Sequence, residues 1–163
     1  MSEPASETLA YESLDQPLSP LFLDYLSGRE RALPFLGKGG FGLDAILAAA
    51  ERTAGATHPR AEVARALVRQ QEARSSPAAV ERARALAEPG SVAVVTGQQA
   101  GLFGGPLFVL LKAIATVEVA RLLQEEWRRP VVPVFWVASD DHDFAVVRSI
   151  GVLDTGFTLR TLR

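Results

Sequence analysis

Cysteine is absent from this sequence of 163 residues. The chain can therefore form no disulfide, no thiolate metal site and no cysteine nucleophile of its own. Lysine is scarce as well, with two among the 17 basic residues, and the formal net charge is −2. Because no basic stripe or polybasic segment is present, neither nucleic acid nor an anionic membrane surface is an expected partner.

Long apolar runs are also missing. The longest, around residues 107–111, is far too short to span a bilayer. The N-terminal stretch MSEPASETLAYE is polar and acidic, so it lacks the basic and apolar regions of a secretory signal. We therefore expect a cytoplasmic protein. Its composition, 48% hydrophobic and 22% charged, is typical of a globular protein with a core.

The first half of the chain has a helical pattern. Residues 1–18 are polar and predict a flexible tail, and residues 19–90 predict a helical segment. Ser19, Pro20 and Gly28 fit the N-cap, first position and C-terminal stop of a short helix. Further helices are predicted over 43–53, over 59–74 with Val63, Leu67 and Val68 on one face, and from 76 to about 88. The helical arginines, Arg65, Arg69, Arg82 and Arg84, are expected to form a solvated face.

From Ser91 onward the pattern changes to that of an α/β domain. The runs SVAVVTG and RRPVVPVFWVA predict two buried strands, and a long helix is predicted between them from Pro106 to about Trp127. Such a βαβ unit implies a parallel sheet with a right-handed crossover. Phe135 and Trp136 are both expected to pack in the core. Two strands and part of a hairpin near 154–156 do not close an α/β sheet, so we expect residues 91–163 to be the first part of a larger core domain.

A glycine-rich loop follows the first strand, in the stretch TGQQAGLFGGPLFVLLKA, residues 96–113. This is where open α/β sheets bind ligands, and glycines let backbone N–H groups approach an anion. The spacing matches neither the dinucleotide-binding nor the P-loop motif. Two adjacent amides after a strand are costly to bury unpaired, which favours a binding site over a plain tight turn. The predicted substrate- or nucleotide-binding residues in this loop are Thr96, Gly97, Gln98, Gln99, Gly101, Gly104 and Gly105.

Lys112 is the only charged residue between Leu102 and Val117. Its ammonium either reaches water at the edge of the helix or turns back over the loop toward a carboxylate or phosphate.

An acidic segment, SDDHDF, follows the second strand at the same predicted edge of the sheet. Asp140, Asp141, His142 and Asp143 could hold a divalent cation, could supply a histidine base oriented by an aspartate, or could bind a cationic amine. A solvated acidic loop is the alternative. A dedicated zinc site is not expected, because the second histidine, His58, lies in the helical segment.

Two long stretches of the sequence are similar to one known family. AVVTGQQAGLFGGPLFVLLKAIATVEVA and VPVFWVASDDHDFAVV resemble the bacillithiol biosynthesis cysteine-adding enzymes, the BshC family. The resemblance extends from Pro20 to the end of the chain and covers about the first third of the family. Phe108 stands where a tyrosine is common, and Asp140 where a glutamate is common.

The resemblance implies a Rossmann-like core and a ligase that joins L-cysteine to the amine of glucosaminyl-malate. It also implies a homodimer formed through a coiled coil outside this sequence. ATP or another nucleotide is the expected activator, because forming an amide from a free carboxylate needs activation, and Mg²⁺ could accompany it. In that reaction, His142 would act as the base, and Lys112 would neutralise charge on the activated carboxyl. Asp141 would orient His142, hold the amine or share a metal, and Asp140 and Asp143 are candidates for the same tasks.

Two other functions remain open at this point. One is a Mg²⁺-dependent phosphotransferase or hydrolase, in which the carboxylates hold the metal and the loop holds phosphate. The other is a nucleotide- or metabolite-binding module without turnover. For the chain alone we expect no activity, and instability or aggregation, because a partial sheet leaves an open edge.

Overall fold

The computed structural model describes residues 18–36, 42–139 and 144–163. The chain divides into two compact units, Met1–Glu51 and Arg52–Arg163. The boundary predicted at residue 90, between a helical and a sheet-forming segment, stays a prediction.

The first described helix, α1 (Pro20–Leu26), follows the predicted capping pattern. The Ser19 hydroxyl accepts a hydrogen bond from the Phe22 amide at 3.2 Å. Gly28 follows the helix in the left-handed region, at φ +64°, where glycine carries no steric penalty. The next helical pieces are a 3₁₀ turn (Glu30–Ala32), α2 (Leu33–Leu36) and α3 (Leu43–Ala54).

A buried carboxylate organises the first unit. Asp24 is 5% exposed, and its oxygens accept hydrogen bonds from Arg31 at 2.7 Å and Arg29 at 3.3 Å. A buried charge is tolerated only when it is paired in this way, so the two arginines fix the turn that follows α1.

In the second unit, helices α4 (Arg60–Glu72) and α5 (Pro77–Ala85) pack on each other. Both begin and end within a few residues of the predicted bounds. The inward face of α4 differs from the predicted one, because Ala64 is buried and Leu67 packs beside it, whereas Val63 is 43% exposed.

The predicted βαβ unit is confirmed. Strand β1 (Val92–Gln99) pairs in parallel with β2 (Val131–Ala138), and helix α6 (Leu107–Trp127) connects them. The register runs from Val92 opposite Val131 to Gln99 opposite Ala138, so the two strands start and end together. Helix α6 packs on both strands.

Alternating side chains of β2 point to different neighbours. Val132 and Val134 join a cluster with Ala64 and Leu86 from the α4–α5 side. That cover stops at Val134, and Trp136, two residues further along the same face, is 65% exposed. The expectation that Trp136 packs in the core is therefore wrong for this structure.

The start of β1 is tied to the start of α4. Ser91 is fully buried, and its carbonyl and hydroxyl oxygens both accept hydrogen bonds from the Arg60 guanidinium. The Ser91 hydroxyl in turn donates to the Leu86 carbonyl at 2.7 Å. These contacts satisfy buried polar groups that would otherwise destabilise the junction.

The described chain ends with a short helix and a hairpin. After α7 (Phe144–Val147), strands β3 (Ile150–Leu153) and β4 (Leu159–Leu162) pair in antiparallel fashion, which confirms the extended pieces predicted around 154–156. Among the described residues, no helix is long and apolar enough to cross a membrane.

Candidate functional site

The glycine-rich loop lies at the carboxyl edge of the parallel pair. β1 ends at Gln99, α6 begins at Leu107, and the intervening residues turn the chain back over the sheet. Thr96, the first of the predicted binding residues along the chain, pairs with Phe135, and its side chain is half-buried. This is the edge at which open α/β sheets place their ligands, as predicted from the sequence.

The loop is closed by its own backbone. Leu102–Gly104 form a 3₁₀ turn, in which the Gly104 amide donates to the Gly101 carbonyl at 3.0 Å. The Gly105 amide donates to the Leu102 carbonyl at the same distance. Both amides are thus used within the loop, and they could bind an anion only if these bonds opened.

Two of the loop glycines are required by the conformation of the backbone. Gly104 and Gly105 have φ of +89° and +82°, a region that favours glycine. Gly105 is followed by Pro106, the N-cap of α6, so the helix begins one residue later than its predicted start at Pro106. A turn that needs these angles accounts for the two glycines without any ligand.

Gly97 and Gly101 are required by close packing, because neither position has room for a side chain. A Cβ atom on Gly97 would lie 2.8 Å from the Trp136 carbonyl oxygen. A Cβ atom on Gly101 would lie 2.8 Å from the Gly105 Cα atom. Only glycine fits such close backbone approaches, so the strand end and the loop are compact at the site.

Lys112 turns back over the loop, which is one of the two orientations considered from the sequence. Its Nζ atom donates to the Gly97 carbonyl at 3.0 Å and to Gln98 Oε1 at 2.9 Å. It also lies 5.5 Å from the centre of the Phe108 ring, within range of a cation–π contact. Gln98 Nε2 donates onward to Gln99 Oε1 at 2.9 Å. The structure thus brings Gly97, Gln98, Gln99 and Lys112 together.

A cavity of about 510 Å³ opens beside the loop. It lies between the loop, the first turns of α6 and the last residues of β2, and Gln99 supplies a polar side chain at its wall. The apolar walls come from Phe103, Leu107, Leu110, Phe135 and Val137. Size and lining suit a small organic ligand with a polar end.

The structure does not test the predictions made for the acidic segment. Asp140, Asp141, His142 and Asp143 lie outside the described residues, so their predicted roles stay predictions. β2 ends at Ala138, directly opposite Gln99, which places the last described residue of that run, Ser139, at the loop's edge of the sheet. Within the described ranges, no three His, Asp or Glu residues form a group that could hold a metal ion.

The apolar walls of the cavity were not predicted from the sequence. Phe103 is 80% exposed and Leu107 is 71% exposed, which is unusual for large apolar residues in a short loop and at a helix start. The sequence does carry a sign of them, because the first nine residues of α6 are apolar apart from Lys112, whereas a surface helix has a continuous polar face.

Comparison with known proteins identifies relatives over most of the chain. Residues 6–161 match a family described as "Bacillithiol biosynthesis BshC, N-terminal Rossmann-like domain". A protein of Bacillus licheniformis named "Putative cysteine ligase BshC" is 32% identical over 141 residues, which make up 86% of this chain and 26% of that protein.

Shorter matches reach higher identity. Proteins of the same name from Heliobacterium modesticaldum and Solibacter usitatus are 53% identical over 79 residues and 51% identical over 70 residues. These segments cover 48% and 43% of this chain and 14% and 13% of the relatives. The chain thus spans about a quarter or less of the length of the curated relatives it matches.

Proposed function

The chain belongs to the BshC family of bacillithiol biosynthesis proteins, and on that premise we propose that it carries part of the active site of a cysteine ligase. The reaction proposed is the joining of the L-cysteine carboxyl to the amine of glucosaminyl-malate, with formation of a carbon–nitrogen amide bond. The Rossmann-like domain of this chain would bind the carboxyl component and its activator.

The observation that carries this proposal is the position of Lys112. Its ammonium is held over the end of β1 by the Gly97 carbonyl and Gln98 Oε1. A cavity with mostly apolar walls opens beside the same strand end. A cation held at the carboxyl edge of a parallel pair suits a ligand with a carboxylate or phosphate group.

The roles proposed for the site follow the chemistry of amide formation. An activated carboxyl gains negative charge when the amine attacks, and a preorganised cation or amide donor lowers that barrier. Gln98, Gln99 and Lys112 are the described polar side chains proposed for that task. The amine must lose a proton, and His142 is the proposed base. Asp141 is proposed to orient His142, and Asp140 and Asp143 to contact the amine.

An activator is needed because a free carboxylate has no good leaving group. ATP or another nucleotide, with Mg²⁺, is proposed to supply one by converting the carboxyl into a phosphorylated or nucleotidylated form. The polar side chains at the strand end are the described groups that could contact its phosphates. Gly104 and Gly105 would contribute their amides only after the loop opens.

The proposal extends to the whole protein. L-cysteine and glucosaminyl-malate are its proposed small-molecule substrates, the cytoplasm is its proposed location, and the active form is proposed to be a homodimer. The 163-residue chain by itself is proposed to be inactive, because the described parallel sheet has two strands and supplies one side of a site.

The test is a product assay with three proteins: a protein of the relatives' full length that carries this chain, the chain alone, and the Bacillus licheniformis relative. Each is mixed with L-cysteine and glucosaminyl-malate, with and without ATP and Mg²⁺, and the cysteinyl amide is sought by mass spectrometry. We expect product from both long proteins, only with nucleotide, and none from the chain alone.

Other results would change the assignment. If neither long protein forms the amide under any condition, the amide-ligase reaction is wrong. Product from the chain alone would contradict its proposed inactivity. If His142→Ala leaves turnover intact, the base is wrongly assigned. Tight Mg²⁺ binding that depends on Asp140 or Asp141, with no effect of cysteine, would favour the phosphotransferase or hydrolase instead.

A further inference from the structure

A groove on the α4–α5 pair is lined by three of the four helical arginines for which the sequence predicts a solvated face. Arg65 and Arg69 come from α4 and Arg84 from α5, and all three line one cavity of about 560 Å³, hereafter the arginine groove. The fourth, Arg82, lines a different cavity. Guanidinium groups from two helices therefore border a common space.

The rest of the arginine groove is apolar. Ala61, Ala64, Val68 and Ala87 complete its lining, and no aspartate or glutamate of the described chain is among the lining residues. Ala64 is 2% exposed and belongs to the core cluster, so the floor of the groove is fixed by the packing of the unit. The volume suits a small organic ligand, and the lining suits one that carries negative groups on a carbon skeleton.

The charges of these arginines are poorly compensated by the described part of the chain. The guanidinium groups of Arg65 and Arg69 form no hydrogen bond or ion pair with a described residue, and like charges four residues apart on a helix repel each other. Arg84 contacts Glu72 at 3.9 Å and Glu81 at 3.6 Å, and all three side chains are more than half exposed. Such long, exposed pairs contribute little, so a bound anion would meet donors that are largely unused.

Arginines around an apolar floor have a simpler use. Their methylene stems cover the floor while the guanidinium groups reach water. That use needs the stems but not the charges, and an anion would then bind here no more tightly than at any exposed arginine. Binding of a divalent anion at this position, beyond what ionic strength explains, therefore separates the two explanations.

We propose that the arginine groove is a binding site for a small organic dianion, whose two carboxylate or phosphate groups contact guanidinium groups from both helices. Arginine suits this task because its planar fork binds such groups through two parallel hydrogen bonds. The groove shares no lining residue with the cavity beside the glycine-rich loop. The site is thus separate from that of the proposed ligase reaction and does not depend on that assignment.

The first measurement locates the site without any substitution. A protein of the relatives' full length that carries this chain is treated with phenylglyoxal, which modifies accessible guanidinium groups, and each arginine is followed by peptide mass spectrometry. The probes are pyrophosphate and succinate, each compared with sodium chloride at the same ionic strength. We expect one of them to slow the modification of Arg65, Arg69 and Arg84 several-fold. Arg52 and Arg74, both exposed outside the groove, should react as before.

The two probes distinguish the possible ligands, because protection by pyrophosphate indicates a phosphate compound and protection by succinate a dicarboxylate. The second measurement is calorimetric titration of the protecting probe into variants of the same full-length protein. Arg65→Met and Arg69→Met keep the stem and remove the charge, so each should weaken binding roughly tenfold. Arg74→Met removes an equal charge outside the groove and should leave the affinity unchanged. Lys112→Met, at the end of β1, should also leave it unchanged.

Several results would overturn the proposal. If the three arginines are not modified even without a probe, the groove is covered in the whole protein. If neither probe protects them better than sodium chloride, or if Arg52 and Arg74 are protected equally, the effect is general screening. If Lys112→Met abolishes binding and the arginine variants do not, the probe binds at the strand end instead.

Failure of the proposed function gives a different result. A full-length protein that forms no cysteinyl amide would overturn the ligase reaction, and the labelling of Arg65, Arg69 and Arg84 would still decide whether the groove binds a dianion. Should an arginine variant fail to fold, the labelling of the parent protein decides the question alone.

Discussion

At the scale of single residues, neighbouring residues of the site are required for different physical reasons. Gly97 allows the backbone of β2 to approach, Gly104 and Gly105 adopt positive φ, and Lys112 bonds to a backbone and a side-chain carbonyl. A glycine-rich stretch therefore does not by itself indicate an anion site. The side chains at its ends, Gln99 and Lys112, carry the chemical argument.

The close approach at Gly97 predicts the effect of adding one methyl group. Gly97→Ala would place Cβ 2.8 Å from a backbone oxygen of β2, which cannot move without shifting the strand. We expect a loss of about 1–3 kcal/mol in the free energy of unfolding, typical of overpacking, and faster hydrogen exchange along β1 and β2. In Gly156→Ala, the control, the nearest atom is a side-chain oxygen at 3.4 Å, and little change is expected. Equal effects of the two substitutions would contradict the strand contact.

Asp24 predicts a pH dependence in the first unit. Its hydrogen bond to Arg31, together with the charges of Arg31 and Arg29, lowers the pKa of the carboxyl below its ordinary value. A lowered pKa in the folded state means that Asp24 contributes stability above about pH 4, and that this contribution is lost as the pH falls through the folded-state pKa. The difference in urea midpoint between the parent and Asp24→Asn should therefore be largest near neutral pH and shrink in acid. A difference that is constant from pH 7 to pH 3 would show that the ion pairs do not stabilise the unit.

At the scale of elements, the junction between α4 and β1 depends on one guanidinium. Arg60→Met removes its bonds to both oxygens of the buried Ser91 and leaves that carbonyl without this donor. We expect a loss of about 1–3 kcal/mol, the usual consequence of an unsatisfied buried polar group, measured by urea unfolding. Arg65→Met, at an exposed position of the same helix, should change little. If both substitutions lower the free energy of unfolding by the same amount, the loss comes from a change in the helix itself and not from the broken contacts at the junction.

The β3–β4 hairpin depends on its turn. Asp154 Oδ1 accepts hydrogen bonds from the Gly156 and Thr158 amides, both at 2.9 Å, and its other oxygen pairs with Arg160. The bond from the Thr158 amide is the main reason that the pKa of Asp154 is lowered. Asp154→Ala should therefore give several-fold faster hydrogen exchange at those two amides. Thr155→Ala is the control within the same turn, and equal exchange in the two variants would contradict this role of Asp154.

The elements and the parallel pairing of β1 with β2 could be predicted from local patterns, but the packing of the helices on the sheet could not. Ser19 and Gly28 mark α1 because caps are local, and the β-branched runs ending at Gly97 and Ala138 mark a parallel pair. Trp136 is exposed because α4 and α5 cover the sheet only as far as Val134. The spacing of residues in the sequence does not show how far along the strand that cover extends. The bond from Lys112 to Gln98 depends on how far α6 is rotated over β1, which is set by packing and not by sequence separation.

At the scale of the whole molecule, large apolar side chains remain exposed in the second unit. On α6, Leu107, Leu110, Leu111, Ile114 and Val117 recur at helical spacing along one face, and each is at least half exposed. The opposite face of the helix packs on the strands through Val109, Thr116, Ala120 and Leu123. A helix that is apolar on both sides is normally buried on both sides. The exposed stripe is therefore expected to make contacts beyond those that the described residues supply.

This stripe predicts how the isolated chain behaves in solution. With a formal net charge of only −2, repulsion between molecules is weak, so apolar contact between stripes should dominate. We expect the 163-residue chain to form concentration-dependent assemblies in size-exclusion chromatography with light scattering, and to bind an apolar dye. The double substitution Leu110→Lys and Ile114→Lys should shift it toward monomer, because two charges would interrupt the stripe. Leu159→Lys, at an exposed position of the β3–β4 hairpin, should not. A parent chain that stays monomeric at every concentration and binds no dye would show that the stripe is covered by the chain's own residues in solution.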